Sequence, residues 1–217
     1  GTREYYVSRV EASYFDPGTA YISLDGHRSD DLKPYIYVTR DYGKTWAPLA
    51  SNLPQFGNVN TIKQDPKNPN LLYAGTEFRF FVSLDEGKSW KKFMTDLPVV
   101  RIDDVIVHPR DHDLVLATHG RAPYVLDDIR PLRELSEAVQ KKPLHLFAVP
   151  DGQQYRVAQG AGERFPGNAE FRGESEPYGV PITLSLNAPG LPHPVVEKEP
   201  ARKEKEAREE EGAPPQE

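Results

Sequence analysis

Short stretches in which apolar and polar residues alternate run through the first 130 or so positions: YVSRVEASYF, TAYISL, PYIYVT, VNTIKQD, NLLYAGT, FFVSLD, IDDVIVHP, DLVLATHG and PYVLDD. They are rich in Val, Ile, Tyr and Phe and are separated by Gly, Pro, Asn and Asp, so each reads as a β-strand bounded by turns. The helical exception is PLRELSEAVQKK at 131–142, where Leu132, Leu135 and Val139 recur three and four residues apart; one or two helical turns are predicted there. The pattern therefore predicts an all-β fold to about residue 130, with a short helix and a connecting strand over 131–150.

Two octets stand out against this background, TRDYGKTW at 39–46 and SLDEGKSW at 83–90. Their flanks repeat as well: YVTRD matches FVSLD, and WAPLASNLP matches WKKFMTDLP. A turn of one kind precedes each unit's second strand, Phe15-Asp16-Pro17, Gln64-Asp65-Pro66 and Val107-His108-Pro109. Three units are thus visible, and in the third THGRAPYVLD aligns with TEFRFFVSLD, so that Asp127 falls where Asp85 stands but no Gly-Lys-Thr-Trp follows. A period of about 40–45 residues with four short strands per unit is the signature of a β-propeller, whose radial blades stack to bury a shared core. Residues 1–130 are read as about three four-stranded blades of such a propeller, the second with strands over 59–65, 71–76, 80–84 and 90–93, innermost first. Each octet then occupies the hairpin between strands three and four. Asp41 and Asp85, with the hydroxyls of Thr39 and Ser83, can satisfy turn amides; Gly43 and Gly87 can take positive φ; Trp46 and Trp90 can fill the space between blades. The octets are expected to be scaffold.

Composition narrows the function classes. With 37% hydrophobic and 10% aromatic residues in 217, the chain has material for a real core. A net charge of −6 without a clustered basic face argues against nucleic acid as a partner. The absence of cysteine excludes disulfides, zinc–thiolate sites and a cysteine nucleophile. No apolar run is long enough to span a membrane. The opening GTREYYVSRV has neither a charged nor an apolar leader region and reads as an internal stretch. From about 190 the chain turns to Glu, Lys, Arg and Pro, too poor in apolar residues to offset the entropy of ordering, and 191–217 is expected to be a charged disordered tail or insert.

The octets and their surroundings resemble the Asp-box, or BNR repeat, of sialidases, some glycoside hydrolases and the Vps10/sortilin propellers. The similarity is greatest to the bacterial propeller proteins labelled glycosyl hydrolase, BNR repeat or sortilin-like, whose closing blades are resembled by VSRVEASYFDPGTAYISLDGHRSDDLKPYIYVTRDYGKTW, YAGTEFRFFVSLDEGKSW and THGRAPYVLDDIRPLREL. PLHLFAVPDGQQYR and FRGESEPYGVPITLSL resemble the segment that follows there, which implies a linker and the start of a β-sandwich-like module over 151–190. The resemblance implies an extracytoplasmic, periplasmic or secreted location and no cofactor. It implies a platform for a carbohydrate or for a peptide or protein ligand, completed by the remaining propeller blades of a longer chain. The alternative is a glycoside hydrolase with catalytic carboxylates partly outside this stretch. A repeat that makes turns says nothing by itself about bond cleavage.

In a blade, the turns between strands two and three share a face with the links between blades, opposite the octets. The three connections are DGHRSDDLKP, TEFRF and THGRAP, and the link 99–104 adds Arg101. The candidate ligand-facing residues are therefore His27, Arg28, Asp30, Asp31, Glu77, Arg79, Asp103, Asp104, His119 and Arg121, a recurrent Arg beside a carboxylate or imidazole. Such groups can hold a carboxylate-bearing, sugar or peptide ligand, or can pair with one another between blades. A sialidase would add a Tyr–Glu pair to the three arginines, and no such pair can be placed from the sequence. A glycosidase would need two carboxylates about 5–10 Å apart, which spacing does not single out. The run His108-Pro-Arg-Asp-His112-Asp113 has ligand-type residues, yet its counterpart Asp65-Pro-Lys-Asn-Pro-Asn is an ordinary turn, so no metal site is assigned.

Overall fold

The computed structural model describes residues 5–93, 97–152 and 179–188. The tail at 191–217 and most of the linker within 151–190 lie outside the described residues. Strands β1 (Tyr6–Ala12), β2 (Ala20–Gly26), β3 (Asp31–Thr39) and β4 (Ala47–Pro48) form an antiparallel meander in that order. A second meander contains β5 (Val59–Gln64), β6 (Leu72–Thr76), β7 (Phe80–Ser83) and β8 (Lys91–Lys92). All four lie within a residue or two of where the alternation places them. The third sheet has three strands, β9 (Ile102–Val107), β10 (Leu114–Thr118) and β11 (Pro123–Leu126).

Where a fourth strand of that sheet was expected, the chain leaves the hairpin at Asp128 and enters helix α1 (Arg130–Glu134), with Pro131 in its first turn. Pro in the first helical turn is pre-set for helix and has no N–H to offer a strand ladder. Helix α2 (Glu137–Gln140) follows, with Ser136 Oγ accepting from the Val139 N–H as its cap. A final two-stranded antiparallel sheet pairs β12 (Leu144–Leu146) with β13 (Leu184–Leu186).

The sheets stack through their first strands: β5 touches β1 and β2 on one side and β9 on the other. Burial follows from this order. Every residue of β6 and β7 is buried, because the second blade is covered on both faces, whereas β2 and β11 alternate. Successive side chains of the second blade point to opposite neighbours. Leu72, Ala74 and Phe81 join Tyr21, Ile36, Val38, Leu49 and Trp90 in the core shared with the first blade. Tyr73, Phe80 and Val82 join Ile102, Val105, Leu114, Leu116 and Ile129 in the core shared with the third. Gly75 marks the closest approach, since a Cβ there would lie 2.7 Å from Ile102 Cγ2 and 2.8 Å from Thr61 Cγ2. Ion pairs join the inner strands: Lys63 to Glu11 at 2.8 Å, and Arg9 to Asp104 across the width of the second blade.

The octets are hydrogen-bonded turns. Asp85 Oδ1 accepts from Ser83 Oγ at 2.7 Å and the Ser89 N–H at 2.8 Å, and Oδ2 accepts from Ser89 Oγ at 2.5 Å. Ser83 Oγ in turn accepts from the Gly87 N–H at 2.7 Å. Asp41 repeats the arrangement with Thr39, Thr45 and the Gly43 N–H on Thr39 Oγ1. Gly43 and Gly87 have φ of 82° and 85°, a region in which a Cβ is strained. Hydrogen bonds from Thr45, with Thr39 assisting, hold the Asp41 carboxyl below its ordinary pKa. At Asp85 burial pushes the other way, but the bonds from Ser89 and Ser83 prevail and the pKa is again lowered. The two tryptophans differ. Trp90 is 4% exposed and its indole N–H donates to Leu49 O of the preceding blade at 2.6 Å, while Trp46 is 41% exposed.

Candidate functional site

Hydrogen bonds between turns fix which loops share a face. The Tyr42 N–H donates to Gly18 O, the Glu86 N–H to Asn70 O and the Ile129 N–H to His112 O, so in every blade the turn after strand three meets the turn after strand one. On the other side the Glu77 N–H donates to Asn58 O and the His119 N–H to Arg101 O, joining the turn after strand two to the residue that leads into strand one. The Gly57 N–H to Leu32 O and the Val100 N–H to Phe78 O carry the same layer across to the next blade. Arg28, Arg79 and Arg121 therefore lie on the face opposite Asp41 and Asp85.

On that face, between the first and second blades, a cleft of about 280 Å³ is lined by His27, Leu32, Gly57, Asn58, Glu77, Phe78 and Arg101. Leu32 and Phe78 present exposed apolar surface, 47% and 43%. Asn58 is buried at 4%. Its Nδ2 donates to Asp25 Oδ1, and its Oδ1 is buried without a hydrogen-bond partner. Asp25 also holds His27, accepting its N–H at 2.9 Å and lying 2.6 Å from its Nδ1. Arg101 bridges Glu77 at 3.4 Å and Asp103 at 2.6 Å, and His119 Nδ1 lies 3.6 Å from Asp103. The Asp103 carboxylate, followed by Glu77 and Asp25, holds the Arg101 guanidinium above its ordinary pKa.

Of the residues singled out in the sequence, the cleft and its ion pairs thus bring together His27, Glu77, Asp103 and His119. The others sit apart from its lining. Arg28 is exposed in a 3₁₀ turn (His27–Ser29), its guanidinium 5.9 Å from the Tyr6 ring centroid. Asp30 ends that turn in the left-handed conformation, φ 56°. Asp31 is 6% exposed and accepts from Tyr5 Oη at 3.0 Å and Tyr35 Oη at 2.9 Å, so it serves the interior of the first blade. Those bonds, and before them burial, push the Tyr35 phenol well above its usual pKa. Asp104 pairs with Arg9 of β1, both side chains partly exposed. Arg79 is half-buried and Arg121 exposed, each in the turn after its blade's second strand. The ionic hub is Arg101, in the link to the third blade, rather than the recurrent arginine. Asn58, Phe78 and Leu32 were missed in the sequence. The available signal for Asn58 was its place directly ahead of an inner strand, which the blade register puts on this face.

Elsewhere, His112 has a left-handed backbone, φ 66°, and a buried Nδ1 without a hydrogen-bond partner. Burial, then the nearby Lys67, Arg133 and Arg130, lower its pKa. Among the described residues no cluster of three or more His, Asp or Glu side chains is arranged to hold a metal ion, and no helix is long and apolar enough to cross a membrane.

The Vacuolar protein sorting/targeting protein 10 of Zygosaccharomyces rouxii is 29% identical over 89 residues, which is 39% of this chain and 6% of that protein. This chain therefore matches only a small part of that relative's length. Among solved structures, a GH74 enzyme of Niastella koreensis is similar over 56% of this chain and 21% of its own, with 16% identity and a TM-score of 0.47. An ancestral GH74 enzyme is similar over 53% of this chain and 14% of its own, with 17% identity and a TM-score of 0.44. YCF48 bound to D1 peptide is similar over 58% and 37% respectively, with 17% identity and a TM-score of 0.41. The sequence profile of the family described as Sortilin, neurotensin receptor 3, matches residues 34–149, from the third strand of the first blade through the end of the third blade and both helices. That is more than half of the chain, and the chain belongs to the Sortilin-Vps10 family.

Proposed function

We propose that this chain contributes to a propeller that works as a ligand-binding platform, and that it engages a peptide or protein through the face opposite the octets. The observation that carries this reading is the cleft between the first two blades. Its walls combine exposed Leu32 and Phe78 with the charged side chains of Glu77 and Arg101 and the imidazole of His27, and a buried acceptor on Asn58 lacks a partner. A few convergent polar groups among apolar walls are what binding sites share. The octets, with their hydrogen bonds closed on themselves, serve as scaffold. Nothing specific favours the glycosidase alternative at this cleft, because Glu77 and Asp103 are both engaged by Arg101 and Asp25 by His27 and Asn58.

The test is capture of peptides and of glycans from defined arrays by the full chain, well below its melting temperature. Peptide capture is expected to fall in Phe78→Asp and to persist in Asp85→Ala. Peptide capture indifferent to Phe78→Asp, or lost in Asp85→Ala while the protein is still folded, overturns the platform reading.

A further inference from the structure

We propose that the outward face of the first blade is a joint for one further blade of the same construction, keyed by Trp46, and that the partner blade ends in a closing segment of the Leu-x-x-Asn type. The joint between the first and second blades shows what such a contact is made of. Its apolar part is a cross-strand row, Ile62, Ala74 and Phe81, all buried in the core shared with the first blade. Its polar part is the segment after β4, which closes on the second octet. Asn52 Oδ1 accepts from the Trp90 N–H at 2.8 Å, Asn52 Nδ2 donates to Trp90 O at 2.9 Å, and Ser51 Oγ donates to Lys88 O at 2.9 Å. The indole N–H on Leu49 O completes the clamp. Leu49 also covers Gly87, where a Cβ would lie 2.9 Å from Leu49 Cδ1.

The first blade carries the same parts with nothing on them. Register places Val10, Ile22 and Tyr37 in the row that matches Ile62, Ala74 and Phe81, and Val10 is 64% exposed. The first octet makes the same internal hydrogen bonds as the second, yet its tryptophan lies open and has no hydrogen-bond partner among the described residues. A Cβ on Gly43 would have only the ring of Trp46 within 4 Å, at 3.8 Å. The tryptophan belongs to the joint rather than to the turn. The bonds inside an octet do not involve it, and the third blade, which lacks it, closes on the second with Ile129 instead.

The occupant follows from the unmatched groups. The Trp46 N–H and carbonyl call for one side chain that both accepts and donates, and the indole N–H for a carbonyl three residues earlier, which is what Asn52 and Leu49 supply one blade on. A second copy of this chain has no such segment to offer. Its own Leu49 and Asn52 are seated on Trp90, and its third blade runs into α1. Because each unit of a stacked repeat contacts only its neighbours, the partner is a blade standing ahead of the first in the ring.

Acrylamide quenching of tryptophan fluorescence counts the accessible indoles in two dilute proteins, the 217-residue chain and an extension in which residues 1–58 are repeated ahead of residues 7–217. In the chain, which has two tryptophans, Trp46 is expected to be quenched and Trp90 protected. The extension adds a third, and still only one is expected to be quenched, because the added Leu49 and Asn52 cover the Trp46 that follows them. Asn52→Ala in the added copy is expected to raise the quenching of that indole. In parallel the peptide APLASNLPQF, residues 47–56 and free of tryptophan, is added to the 217-residue chain. Protection of Trp46 is expected to need about tenfold more of the peptide carrying Asn52→Ala, which is what two neutral hydrogen bonds are worth. Two accessible indoles in a folded extension overturn the proposal, as does protection there that Asn52→Ala leaves unchanged. If the extension does not fold, the peptide decides, and no protection, or equal protection by both peptides, overturns it.

Discussion

Removal of the Asp85 carboxylate isolates what an octet contributes. Asp85→Ala deletes the acceptor of three hydrogen bonds, from Ser83 Oγ, the Ser89 N–H and Ser89 Oγ. The two hydroxyls can turn toward water or other acceptors, so the lasting loss is the backbone amide of Ser89 and the charge-assisted character of the set. A typical bond to a charged group contributes about 1.5–3 kcal/mol, and Asp85 is only half-buried, so a net cost of about 2 kcal/mol is expected. For a domain of this size that is a fall in Tm of roughly 4–8 °C in a thermal scan followed by circular dichroism. The pH dependence has a definite sign. The folded-state pKa of Asp85 is lowered, so its contribution is fully present above the ordinary carboxylate value of 3.8 and is lost as pH falls through the depressed one. The gap between wild type and Asp85→Ala is therefore expected to be constant near neutrality and to shrink only on acidification below about pH 4. An unchanged Tm at pH 7, or a gap that widens in acid, refutes the scaffold assignment.

Other substitutions separate neighbours that look alike in sequence. Trp90→Ala removes a buried indole and its bond to Leu49 O and is expected to cost about 3–5 kcal/mol, whereas Trp46→Ala, at 41% exposure, costs under about 1 kcal/mol; denaturant titration of both is the check, and equal costs contradict the packing described. Asp65→Ala leaves Arg133 partly buried without its carboxylate and is expected to cost about 3–5 kcal/mol in the same assay. The polypeptide produced as the 217-residue chain is expected to self-associate through the first blade, where Tyr6, Val7, Val10, Tyr42 and Trp46 are exposed. A monodisperse monomer in sedimentation velocity contradicts that.

The elements of the second blade were legible because its strands are short, apolar and punctuated by Asp-Pro and Gly, and because the octet repeats with the first blade. The same logic reached its limit in the third blade. Asp127 aligns with Asp85, yet the next residue, Asp128, turns into a left-handed conformation with φ 49° and pairs with Arg130, and the chain goes into a helix. The face of the candidate site was legible from strand order alone, since antiparallel meanders alternate their turns between two ends. Its membership was not. Asp30 and Asp31 are neighbours in sequence, but a left-handed turn sends one to solvent and the other under Tyr5 and Tyr35. Asn58 and Phe78 belong to the cleft because two blades meet there, and no spacing within one repeat encodes which residues face across the join.

Arg133 of α1 reaches back over the third blade to the turn after β5. Its Nε lies 2.9 Å and 3.0 Å from the two oxygens of Asp65, a side chain with no exposed surface, and its carbonyl accepts from Asn68 Nδ2 at 3.0 Å. The same carboxylate takes the amides of Lys67 and Asn68 and faces the Tyr73 hydroxyl at 3.4 Å. The helix works as a latch. The third blade, which lacks an octet, is held between the second blade and its own onward chain, and its outer edge cannot swing free until Arg133 lets go. Opening of β10 and opening of β6 are thereby expected to be one event rather than two, with their amide protons exchanging together in a native-state hydrogen-exchange measurement. The first blade is joined to the second by apolar packing, by the Trp90–Leu49 and Asn52–Trp90 bonds and by the inner-strand ion pair of Lys63 and Glu11, with no such helix across the join.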